Sequence, residues 1–213
     1  SVKIYKGKKP QTESQVKFDY ILGNPPFVGK QLQNTNQKQD IESIFSGVKG
    51  GGTLDYVAAW YLKAAQYIQN TKIKAAFVST NSLVQGEQVG LLWNLLFNKY
   101  NIKIHFAHRT FNWSNEAKGK ASVHVVIIGF ANFDINNKCI FEYEDIRGTP
   151  HEKYAKNISP YLIEGKDIAL NSIQKPISNI PEMQAGNKAI DGGNLIFNDS
   201  EKEAFIKIDP ASE

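Results

Sequence analysis

Two consecutive prolines, Pro25 and Pro26, end the apolar run Phe18-Asp19-Tyr20-Ile21-Leu22-Gly23 and lead into an aromatic, Phe27. A proline has no N–H to give a sheet ladder, so the run reads as a buried strand over residues 18–23 that stops at Asn24. In an open α/β sheet, ligands bind beyond the carboxyl ends of strands, and Asn24-Pro25-Pro26-Phe27 lies at such an end. The Asn24 side chain carries a carbonyl acceptor, and Pro25 carries a backbone carbonyl with no N–H beside it. Two fixed φ angles hold these acceptors in place. Together they suit the two hydrogens of an exocyclic amine, and Phe27 suits stacking on the flat ring that bears it. An adenine taken out of a duplex is such a ring. The plainer alternative is a Pro-Pro strand terminator with Phe27 packed into the core.

The rest of the chain supports an α/β reading. Leu54, Val57, Ala58, Tyr61, Leu62, Ala65 and Ile68 recur at spacings of three and four, which predicts a helix with Thr53 as N-cap and Asp55 in its first turn. The short strand 74–79 follows, then a helix over "GEQVGLLWNLLFNKY" with Val89, Leu92, Trp93 and Leu96 inward. Strands are expected at 102–108 and 121–131, the last antiparallel to its neighbours, with one more between Cys139 and Glu144. Residues 28–52, rich in Gln, Asn, Lys and Gly, read as a long loop with one short helix. Alternating elements followed by consecutive strands predict a partial parallel sheet ending in an antiparallel hairpin. After residue 150 the rhythm gives way to prolines and short polar stretches. We therefore expect one unit over residues 1–150 and the beginning of another module over 151–213.

Several classes drop out. No apolar run of about 18 residues exists to span a membrane. The basic, polar N-terminal stretch has no apolar core of a signal peptide. A single cysteine, Cys139, precludes an internal disulfide and suits a reducing cytoplasm. The net charge of +4 permits nucleic-acid binding without requiring it. His105, His108 and His124 lack the tight spacing or cysteine partner of a metal site, so no metal is expected. Ser79 and Ser82 have no recognisable nucleophile elbow, which argues against a hydrolase.

An Asn-Pro-Pro-aromatic sequence after a strand resembles motif IV of the amino-group DNA methyltransferases, in the form used by the adenine N6 branch. "LDYVAAWYLKAA" resembles the motif V helix of that family, and "KAAFVSTNSL" its motif VI strand and loop. "HRTFNWSNEAKGKASVHVVIIGF", "NISPYLIEGKDI" and "KPISNIPEMQAGNKAIDGG" resemble MmeI-like restriction-modification enzymes, and the likeness runs from about residue 18 to 205. The resemblance implies a Rossmann-like, S-adenosylmethionine-dependent fold acting on a flipped adenine in double-stranded DNA. It implies catalytic roles for Asn24, Pro25, Pro26 and Phe27, and a place for Asp55 and Tyr56 beside the cofactor. Arg109, Lys118 and Lys120, in a basic and aromatic hairpin, are candidates for DNA contact, a solvated loop being the alternative.

The family's glycine-rich F-x-G-x-G loop and its ribose-binding acid, which precede motif IV, are not found, nor is a nuclease signature. The expectation is the C-terminal half of a methyltransferase domain with the start of its target-recognition region. Its partners would be the remainder of its own polypeptide: a cofactor-binding half, a nuclease part and a target-recognition domain. Cofactor binding by this chain alone is expected to be weak or absent. Two alternatives stay open: a methyltransferase-fold module that binds DNA without catalysis, and methylation of another amino group, on RNA adenine or protein glutamine.

Overall fold

The computed structural model describes residues 18–113, 123–173, 178–179 and 197–209. The chain divides into two units, Ser1–Ser172 and Ile173–Glu213. In the first unit the order is β1 (Tyr20–Gly23), α1 (Thr35–Ile44), α2 (Ala58–Tyr67), β2 (Lys74–Thr80), α3 (Glu87–Tyr100), β3 (Lys103–Trp113), β4 (Val123–Ala131), β5 (Lys138–Glu142) and β6 (His151–Ala155). In the second unit, α4 (Asp199–Ile208) starts on a capping box between Asn198 and Glu201.

The six strands form one sheet in the order β1-β2-β4-β3-β5-β6. β1 and β2 run parallel, as do β3 and β5. β4 lies antiparallel between β2 and β3, as the expected closing hairpin requires. β1, β2, β3 and β5 therefore all point the same way, and their carboxyl ends share one edge of the sheet.

One face of that sheet carries the helices. Every residue of the predicted α2 stripe is buried, from Leu54 and Val57 through Tyr61 to Ile68. At the centre, the Tyr61 ring stacks on Phe130 at 5.4 Å and meets Phe77 and Trp93 edge-on at 5.4 and 6.0 Å. Its hydroxyl lies 2.8 Å from Ser79 Oγ, which satisfies both buried groups. The opposite face is far more open. Tyr20 and Leu22 are exposed there, and Tyr20, Leu22, Lys74, Ala76, Phe106 and Cys139 line a hollow of about 410 Å³.

Two local expectations change. The helix predicted from Thr53 begins at Ala58, after a 3₁₀ turn over Gly51–Thr53 in which Thr53 Oγ1 donates to the Gly50 carbonyl. Asp55 is thus ahead of the helix, because its backbone N–H and its carboxylate bond to other segments. The stretch 28–52 holds a ten-residue helix, α1, capped by Asn34 and Gln37 in a reciprocal box.

Residues 151–172 belong physically to the first unit. β6 pairs with β5, and Ile158 and Leu162 are buried in the common core. The fully buried Lys138 donates to Asn157 and pairs with Asp134, while Asn157 donates to Gly165 and Asp167. These bonds pin the polar segment to the end of the sheet.

Candidate functional site

Asn24 follows the last residue of β1, at the shared carboxyl edge of the parallel strands. Gly23 precedes it at a point where an added Cβ would sit 3.1 Å from the Phe77 ring, so a side chain there would press on the core. Pro25 is buried and anchors the turn; Asn24 and Pro26 are exposed, and Phe27 is half-buried. Among the described residues, no group hydrogen-bonds to the Asn24 carboxamide or to the Pro25 carbonyl. The end of β1 thus leads into two carbonyl acceptors without a partner among the described residues, followed in sequence by the half-buried Phe27 ring.

The segment after Phe27 is tied to the turn before α2. The Tyr56 N–H donates to the Val28 carbonyl at 2.9 Å, and the Lys30 N–H donates to Asp55 Oδ1 at 3.2 Å. Ser82, just beyond β2, donates to Asp55 Oδ2 at 2.6 Å, and its Oγ lies 2.7 Å from Thr80 Oγ1. The Asp55 N–H donates to Gln88 Oε1 on α3 at 3.0 Å. Tyr56 donates its hydroxyl to Asp40 on α1 at 2.8 Å, and burial together with that carboxylate raises its pKa. Asp55 and Tyr56 are thus tied to Val28 and Lys30, which follow the Asn24–Phe27 turn. Ser82, Gln88 and Gln33, whose Nε2 donates to the Leu54 carbonyl at 3.0 Å, are additions that no local pattern announced.

Further along the same edge, β3 and β5 bring up a second group of rings. His108 stacks on Phe141 at 4.2 Å, and Phe111 stacks on Tyr143 at 5.0 Å. His108 Nδ1 lies 2.8 Å from the Tyr143 hydroxyl. A register shift between His108 and Phe111 bends β3 here and re-aims its side chains. Arg109 pairs with Glu142 at 3.2 Å, in the open, where such a pair contributes little to stability. Lys118 and Lys120 lie outside the described residues.

The histidines are taken up separately. His105 Nε2 lies 2.7 Å from the Phe133 carbonyl, His108 faces Tyr143, and His124 pairs across the ladder with Asn112. Among the described residues, no three His, Cys, Asp or Glu side chains gather as metal ligands. Burial lowers the pKa of both His105 and His108 from 6.5. Their unfolded forms take up protons first as pH falls, so the stabilising contribution is present above about 6.5 and is lost below it. Thermal unfolding between pH 7 and 5 should show this fall, and His105→Gln with His108→Gln should flatten it. An unchanged pH slope in the double variant would remove both histidines from the account.

The family described as the MmeI DNA-methyltransferase domain matches residues 4–142, and the MmeI target recognition domain matches residues 164–213. DNA methyltransferase A of Bacillus subtilis (strain 168) is 48% identical over 179 residues, which is 84% of this chain and 20% of that protein. The solved structure of the Type IIL restriction-modification enzyme MmeI in complex with DNA is 56% identical. It superposes with a TM-score of 0.81 over 91% of this chain and 26% of its own. The chain thus spans about a quarter or less of the length of these relatives. No helix among the described residues is long and apolar enough to cross a membrane. With matched segments that run in order through the Asn24–Phe27 edge and on to residue 213, the chain belongs to the MmeI family of DNA methyltransferases.

Proposed function

We propose that this chain is part of a restriction-modification DNA methyltransferase that moves a methyl group from S-adenosylmethionine to the N6 amine of an adenine flipped out of double-stranded DNA. The observation that carries the reading is the pair of acceptors with no partner among the described residues, the Asn24 carboxamide and the Pro25 carbonyl, next in sequence to the half-buried Phe27 ring. The two acceptors take the two amine hydrogens and turn the nitrogen lone pair out of ring conjugation, while Phe27 stacks on the base. When bound, the cofactor supplies an electrophilic sulfonium methyl. The amine held by Asn24 and Pro25 would take that methyl as its bond to sulfur breaks, and the amine proton would pass to solvent.

For the cofactor, the turn at Asp55 and Tyr56 fits on one side. The Asp55 carboxylate already accepts from Lys30 and Ser82, so what this turn offers is the half-buried Tyr56 ring. The groups that complete the pocket belong to the rest of the polypeptide, with a nuclease part and a complete target-recognition domain. We take the change of module near residue 150 as one of sequence character, supported by a methyltransferase match that ends at 142 and a target-recognition match that begins at 164, while residues 151–172 still pack with the first unit. Arg109 on β3, with Lys118 and Lys120 further along the sequence, contributes phosphate contacts. The single cysteine agrees with a cytoplasmic enzyme.

The test is product analysis. The full-length protein is incubated with duplex DNA and S-adenosylmethionine carrying a labelled methyl, and the DNA is digested to nucleosides. Label in N6-methyladenine is the expected result. Label in a cytosine product, or in RNA or protein but not DNA, would overturn the reading.

A further inference from the structure

We propose that Asp55 is a positioning residue, whose carboxylate locks the segment behind Phe27 to the ends of β1 and β2. The proposal rests on the reading of Asn24–Phe27 as the amine-binding turn. Family resemblance places Asp55 at the cofactor; the geometry points instead to the loop.

Three bonds carry the case. Oδ1 accepts from the Lys30 N–H at 3.2 Å, three residues after Phe27. Oδ2 accepts from the Ser82 hydroxyl at 2.6 Å, just beyond the end of β2. The backbone N–H of Asp55 is itself fixed by Gln88 on α3 at 3.0 Å. A fourth bond, Tyr56 N–H to the Val28 carbonyl at 2.9 Å, runs beside them, so residues 28–30 are held on both flanks. Because Ser82 donates to Asp55, its oxygen is left to accept from Thr80, and the chain Thr80 to Ser82 to Asp55 points in one direction.

The prolines fix the entrance to the turn, but Phe27 to Lys30 contain no proline and no strand pairing. Without a clamp, this exit is free to drift. Base stacking and amine alignment both depend on it, and a misplacement of about 1 Å at a reacting centre can cost about a hundredfold in rate. An ionised carboxylate accepting from a backbone N–H and a hydroxyl is a stronger clamp than a neutral acceptor.

Variants of the full-length enzyme separate the two roles, with readouts of single-turnover rate at saturating DNA and cofactor, cofactor Kd and the thermal unfolding midpoint. Asp55→Ala is expected to slow the saturated rate by about 10- to 100-fold while cofactor Kd changes by less than about threefold. Asp55→Asn retains one acceptor for Lys30, and its amide can donate to Ser82, so it should recover most of the rate. Ser82→Ala removes only one partner and should give a smaller loss of the same kind, and it decides the matter if Asp55→Ala does not fold. A large rise in cofactor Kd with an unchanged saturated rate would overturn the proposal in favour of direct cofactor contact. So would full activity in Asp55→Ala or, with Asp55→Ala unfolded, in Ser82→Ala. Failure of the underlying reading looks different: the wild-type enzyme would then yield no N6-methyladenine, whatever stands at position 55.

Discussion

Asn24→Ala in the full-length protein is expected to slow methyl transfer by about 10²- to 10³-fold while duplex DNA affinity stays within about threefold. Charge is the reason. As the amine attacks, its nitrogen becomes positive and its N–H bonds become stronger donors, so a fixed carbonyl dipole is worth more in the transition state than on the bound base. Asn24 is exposed at the strand end and is bonded by no group among the described residues, so truncating it should leave the fold intact. Phe27→Ala should behave differently. It removes a stacking surface worth about 1–3 kcal/mol per base, and the loss should appear in capture of the flipped base as well as in rate. Single-turnover methylation alongside fluorescence-anisotropy titration of duplex DNA separates the two variants. A wild-type rate for Asn24→Ala would remove that residue from the chemistry.

The site and the fold were legible to different depths. Asn24–Phe27 was readable because its meaning is local: an apolar run, two prolines and a ring fix a strand end wherever the strand is placed. The strands 74–79, 102–108 and 121–131 were readable from runs of apolar residues, and they appear as β2 (Lys74–Thr80), β3 (Lys103–Trp113) and β4 (Val123–Ala131). The start of α2 was not readable, although its buried stripe was. Thr53 and Asp55 have the chemistry of a helix start, but Asp55 instead meets Lys30, Ser82 and Gln88, which lie 25, 27 and 33 residues away. Local propensity cannot register such partners. The opposite holds for α1, whose Asn34 and Gln37 box was present in the sequence within a stretch that otherwise reads as loop. The texture change after residue 150 marks real polarity, but β6 still joins the sheet because Lys138, Asn157 and Asp167 satisfy one another there.

Trp93→Ala is expected to destabilise the first unit by about 3–5 kcal/mol, a large share of the roughly 5–15 kcal/mol that holds a domain of this kind together. Trp93 is fully buried, contacts Tyr61 and Phe97, and donates its indole N–H to the Leu83 carbonyl at 2.8 Å. Truncation opens a cavity between α2 and α3 and leaves that carbonyl unpaired in the interior. Tyr61→Phe provides the contrast. It keeps the ring between Phe77 and Phe130 and removes only the hydroxyl that faces Ser79, so about 1 kcal/mol is expected. The two variants differ in function as well as in stability, since Leu83 directly follows Ser82 and the Trp93 bond helps hold the turn that reaches Asp55. Urea unfolding followed by far-ultraviolet circular dichroism measures both losses. Activity assayed well below the unfolding midpoint should remain near wild type for Tyr61→Phe and fall for Trp93→Ala even in its folded fraction. Equal midpoints for the two variants would mean that the aromatic cluster, and with it the Trp93 anchor of the 80–84 turn, is not the centre of this core.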